Sequence, residues 1–147
     1  MKKLFVLLFV FFYFSIGVKS QDGRSMYPII NKTKPLIEYI ENELNMEIVR
    51  MEFDILSSSK TTLRTLSAGW TYSIVAFGDY RFKDIDVSVY YNDGGNWVLV
   101  EKDQDASEMA VVTITPKYTS DYFIEIKAYS FVQGYEIGHY GLIIAHE

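Results

Sequence analysis

"DIDVSVYYNDGGNWVLV", residues 84–100, decides the fold. Ile85, Val87, Val89 and Tyr91 alternate with Asp84, Asp86, Ser88 and Tyr90. A period of two places one set toward a core and the other outward, the mark of a half-buried strand. The NDGGN that follows is a turn signal, and WVLVEK opens a further extended run.

The same period recurs on either side. "YFIEIKAY" sets Tyr122, Ile124, Ile126 and Ala128 against Phe123, Glu125, Lys127 and Tyr129. "MEIVRMEFDIL" has Val49, Met51, Phe53 and Ile55 on one side, with Arg50, Glu52 and Asp54 opposite. TLRTL, WTYSIVAF, MAVVTIT and YGLIIAHE complete about eight short strands, separated by turn signals such as SSSK, GDYRFK and DQDASE. Upstream, QDGRSMYP reads as a loose leader. KPLIEYIENELN reads as one short amphipathic helix, with Pro35 in its first turn and Leu36, Ile37, Ile40 and Leu44 on one face, a lid on the domain. A single helix ahead of strands that do not alternate with helices predicts an all-β fold, an antiparallel β-sandwich rather than a parallel sheet. The expected organisation is 1–20 signal peptide, 21–45 leader and helix, 46–147 sandwich.

The signal peptide rests on Lys2 and Lys3, an apolar run from Leu4 to Gly17, and Val18 and Ser20 at the −3 and −1 positions of a cut before Gln21. It predicts a secreted or periplasmic protein with no membrane span after cleavage. Those 20 residues hold three lysines and no acid, so the remaining 127 carry 11 basic and 19 acidic residues, a net charge of −8. That balance opposes nucleic-acid binding. With no cysteine, an exported chain has no disulfide framework and depends on its core, which fits a bacterial envelope setting.

LSAGWTYSIVAFGD, DIDVSVYYNDGGNWVLVEKDQD, VVTITPKYTSDYFIEIKAYS and HYGLIIA together resemble the strand motifs of the bacterial pre-peptidase C-terminal domain, over 46–147. The resemblance implies a secreted, jelly-roll-like β-sandwich that is not itself catalytic, trails exported hydrolases and in some members binds calcium. Ser120-Asp121 stand where the family often has glycine. Without a protease on the same chain, an accessory role would be played in trans.

Two sets of residues are candidate ligand contacts. Asp84 and Asp86 leave one strand face about 7 Å apart, Asp93 lies in the next turn, and Asp103 and Asp105 lie in the loop after it. If both loops sit at one end of the sandwich, these oxygens could gather a Ca²⁺ ion, with Asp79 as a weaker candidate. The alternatives are turn-forming and solvating roles, or a glycosidase carboxylate pair, which exposed acids do not favour. Tyr80, Tyr90 and Trp97, in or beside exposed loops, are candidates for stacking on a glycan or peptide; cross-strand packing is the alternative. Trp70, Tyr72, Tyr122 and Tyr140 read as facing or bordering the core. His139 and His146 are an odd separation apart on one strand and point to opposite faces, so they cannot share a metal. No nucleophile elbow or phosphate loop is present, and no catalytic residue is expected. The expected function is binding, to an envelope or secreted protein or to a polysaccharide. The alternative is a structural protein that self-associates through a strand edge.

Overall fold

A computed structural model describes residues 25–147; the expected signal peptide lies outside them. Helix α1 (Tyr27–Glu38) ends in a π-helical turn, Tyr39–Glu43. Eight strands follow: β1 (Glu47–Leu56), β2 (Ser59–Leu66), β3 (Tyr72–Gly78), β4 (Phe82–Asp93), β5 (Asn96–Asp103), β6 (Met109–Ile114), β7 (Ser120–Phe131) and β8 (Gly138–His146). They form two antiparallel sheets, ordered β1-β8-β3-β6 and β2-β7-β4-β5. Successive strands go to opposite sheets except for the β4–β5 hairpin, which is a jelly roll. All eight expected strands are present.

The hairpin closes through Gly94 and Gly95, with φ of 60° and 99°. A two-residue turn matching the strand twist needs positive φ at both positions, and glycine adopts it without strain. From this turn, alternation sends Ile85, Val87 and Val89 into the core between the sheets, all fully buried. Ile124 and Ile126 of β7 meet them from the neighbouring strand, and Ile74, Leu142 and Ile144 from the facing sheet. Each such side chain contributes roughly 1.5–3 kcal/mol on burial.

A second apolar cluster lies on the outer side of the first sheet. Ile29 and Ile40 from the helix cover Val75 and Phe77 of β3 and Ile143 and Ala145 of β8. β3 is therefore buried along its whole length. Gly141 is required under this lid, because a Cβ there would lie 2.4 Å from the Phe77 ring.

The helix differs from its sequence-based bounds. It begins at Tyr27, with Pro28 in the first turn, and Pro35 sits inside it. The end of what reads as loose leader, Tyr27 and Pro28, is therefore helical. Pro35 has no N–H and cannot bond back to the preceding turn. One turn later the bonding widens, Leu44 N–H donating to the Tyr39 carbonyl at 3.1 Å, and Asn45 at φ 53° turns the chain into β1. Buried Ile29 and Thr33 join Ile40 against the sheet, while Leu44 is exposed.

β1 also turns its faces unexpectedly. Glu52 and Asp54 pair in register with inward-facing Leu142 and Tyr140. They meet Arg64 and Lys60 of β2, so ion pairs join the two sheets along this edge. The row Met51, Phe53, Ile55 lies instead on the helix side, where only Phe53 is covered by the second cluster. Trp70, expected at the core border, is 45 % exposed in the β2–β3 connection and lies edge-on to His146 with ring centroids 4.3 Å apart. Tyr72, Tyr122 and Tyr140 are buried as expected.

Candidate functional site

Among the described residues no helix lies over the outer face of the second sheet, and the residues of that face follow from strand register. Antiparallel partners share a face, so Leu63, Phe123, Tyr90 and Leu99 form one row across β2, β7, β4 and β5. Thr61, Glu125, Ser88 and Lys102 form the next row, and Ser59, Lys127 and Asp86 the one after. A bulge in β5 between these rows leaves Leu99 and Lys102 both on this face.

Tyr90 and Trp97 come together here through a residue that sequence analysis did not single out. The Phe123 ring lies 5.9 Å from Tyr90 and 5.4 Å from Trp97, centroid to centroid, edge-on to the first and tilted 38° to the second. Trp97 is 44 % exposed, and Tyr90 and Phe123 are half-buried. The signal for Phe123 was present in YFIEIKAY, where an aromatic shares the polar set with Glu125 and Lys127. Its partner strand was not legible locally. Tyr80 does not join this group. It lies at the opposite end, in the β3–β4 turn, edge-on to Tyr135 at 5.8 Å and beneath the Arg81 guanidinium.

The acids are divided as well. Asp84 and Asp86 leave the outer face of β4 as expected, yet they are buried rather than solvated, with 7 % and 4 % exposure. Outward Asp84, Asp86 and Ser88 of β4 are buried while the outward residues of flanking β7 and β5 are half-buried or exposed, so β4 forms the floor of a trough. The Ser107 amide donates to Asp84 at 3.3 Å. Asp103 is committed to backbone, accepting from the Asp105 and Val111 amides at 3.0 and 2.8 Å and so joining the start of its loop to β6. It lines a shallow cleft of about 450 Å³ between β5 and β6.

Asp93 closes the hairpin at the other end. Six strand residues, roughly 20 Å, separate it from Val87, the partner of Asp103. Successive hairpin connections must exit at opposite ends, so the two acidic loops do not converge. Among the described residues, no three Asp, Glu or His side chains are arranged to hold a metal. As placed, these donors do not make a preformed calcium cage, which needs six to eight oxygens.

Asp86 stands apart. Among the described residues no donor lies within hydrogen-bond range of its carboxylate, and neither oxygen is among the sealed, unpartnered atoms. Burial pushes its pKa up, Asp84 and Asp103 push it further, and Lys127 and Lys102 offset only part of this.

A different buried acid anchors the opposite end. Asp79 accepts from the Arg81 backbone amide and Nε at 3.0 Å and from the His139 amide at 3.1 Å. Arg81 Nη2 reaches both Asp79 and His139 Nδ1. Burial alone would raise the Asp79 carboxyl; the Arg81 and His139 hydrogen bonds and the Arg81 charge outweigh it and hold the group below its usual range. This knot ties the β3–β4 turn to β8. Its residues are sealed, so it is structural. His139 and His146 do lie on opposite faces of β8, His146 against Tyr72 of the inner core.

Comparison with known proteins concerns fold. No family model matches the chain, and no curated protein does. Among solved structures the chain is similar to the pre-peptidase C-terminal domain of collagenase from Bacillus anthracis, with 12 % identity, TM-score 0.49, and 65 % of this chain and 87 % of that one covered. It is likewise similar to Aeromonas hydrophila PliG, a periplasmic lysozyme inhibitor (10 % identity, TM-score 0.49, 67 % and 85 % covered). The Yersinia pseudotuberculosis-derived mitogen is a third (16 % identity, TM-score 0.47, 67 % and 85 % covered). At this level the likeness lies in strand layout and carries no functional argument; the first of the three is from the family that the strand motifs resemble.

Proposed function

We propose that the chain is an exported, non-catalytic accessory module that binds polysaccharide along the outer face of the β2-β7-β4-β5 sheet. The observation that carries this reading is the cluster of Tyr90, Phe123 and Trp97, which stands on an uncovered face beside a polar trough. Sugar rings present apolar C–H faces and hydroxyl edges. Aromatic rings match the first, and Ser88, Glu125 and Lys102 match the second. Catalysis would need a desolvated acid placed opposite a second carboxyl across a cleft, whereas Asp84 and Asp86 stand side by side on one strand. A panel of neutral, acidic and basic oligosaccharides titrated into the purified protein tests the reading. Binding that Trp97→Ala abolishes supports it, and no binding across the panel refutes it.

A second reading rests on β5. This edge strand exposes Trp97, Val98, Leu99 and Val100 in succession, an uncharged edge that can template pairing with a second copy. Light scattering tests it: a mass doubling with concentration supports pairing, and a constant monomer mass rejects it.

A further inference from the structure

We propose that the trough selects a polysaccharide bearing free amines, with the Asp86 carboxylate receiving a protonated amino group of a sugar chain that stacks, two or more units further along, on Phe123 and Trp97. The inference rests on the glycan-binding reading above and adds the charge of the ligand.

Three observations carry it. Asp86 is only 4 % exposed, and among the described residues no hydrogen-bond donor or cation in contact satisfies it. A buried carboxylate without a partner is costly, and the cost is recovered when a cation with N–H donors arrives. Its oxygens are not among the sealed, unpartnered polar atoms of the described residues. Asp84 and Asp103 add negative charge around the same point, and burial and these charges hold Asp86 above the ordinary carboxylate range.

Position decides between an isolated cation and a sugar chain. Asp86 and Tyr90 lie four residues apart on β4, about 13 Å, and share one face with Ser88 between them. A small ion would use the acid and ignore the aromatic row. A chain of linked sugars spans both, stacking at one end and donating at the other. Lys127 and Lys102 flank the floor, but their ammonium groups turn to the Tyr129 ring and to Gln104.

Calorimetry with oligomers of glucosamine, N-acetylglucosamine and glucose, at a pH that keeps the amines charged, tests the proposal on the full exported chain. The glucosamine oligomer is expected to bind at least tenfold more tightly than the other two, the scale of one charge-assisted hydrogen bond. Asp86→Asn is expected to erase that preference while leaving neutral-oligomer binding intact, which also shows that the variant is folded. Trp97→Ala is expected to weaken all three. Equal binding of the three oligomers, or a preference untouched by Asp86→Asn, overturns the charge assignment and leaves the glycan reading standing. Binding of none overturns both. A melting temperature raised by millimolar Ca²⁺ in the parent and not in Asp86→Asn assigns the slot to a metal ion and overturns the amine proposal.

Discussion

The two sheets differ in what covers their outer sides. The β1-β8-β3-β6 sheet carries Val75, Phe77 and Ile143 outward, and helix α1 seals them with Ile29 and Ile40. The β2-β7-β4-β5 sheet carries Asp84, Asp86, Ser88, Glu125 and Lys127 outward, with one aromatic cluster, and none of the described residues forms a helix over it. One face is a second core and the other is a surface, although both are outer faces of one sandwich. Apolar side chains on the first therefore serve stability, and aromatics on the second are free to serve a ligand.

That contrast can be broken, beginning with the knot that both sheets share. Asp79→Ala leaves Arg81 buried without its carboxylate and is expected to cost about 3–5 kcal/mol in chemical denaturation. The folded pKa of Asp79 lies below its unfolded value. Its stabilisation is therefore present above the unfolded pKa and lost as pH falls toward the folded one. The parent should weaken across that acidic range, and Asp79→Ala should lose that part of the sensitivity. On the covered face, Ile29→Ala opens a cavity under the helix and is expected to cost about 2–4 kcal/mol, read as an earlier urea midpoint.

The uncovered face answers differently. Asp86 has a folded pKa above its unfolded value. Its ionised form thus destabilises the fold at neutral pH, and that cost disappears below the unfolded pKa. Asp86→Asn is expected to raise the melting temperature at pH 7 by about 2–4 °C, a gain that fades on acidification. The smallest change comes from Trp97→Ala. It removes a side chain as large as any in the core, yet stability should stay within about 0.5 kcal/mol.

How much of this was legible in the sequence follows from range along the chain. DIDVSVYYNDGGNW carries its own alternation and its own turn, so the β4–β5 hairpin and the inward row of Ile85, Val87 and Val89 could be read directly. The eight strands followed from the same local signal. Pairing over long separations could not be read. Tyr90 meets Phe123 only because β7 docks beside β4, and the same docking builds the trough that buries Asp86. Alternation gives two faces and does not say which is inner; at β1 it is the charged row that turns inward to pair with Arg64 and Lys60 at the edge. Pro35 suggested a helix start, and the earlier Pro28 took that role. The Asp79 knot was hidden because His139 lies sixty residues away along the chain.

The central claim is that the uncovered face holds the ligand, and tryptophan fluorescence tests it directly. Trp97 lies on that face, and Trp70 lies against His146 in a separate connection. Titrating the bound oligosaccharide into Trp70→Phe should give the full emission change, and titrating it into Trp97→Phe should give none. A change that persists in Trp97→Phe and vanishes in Trp70→Phe would place the ligand elsewhere and contradict the account.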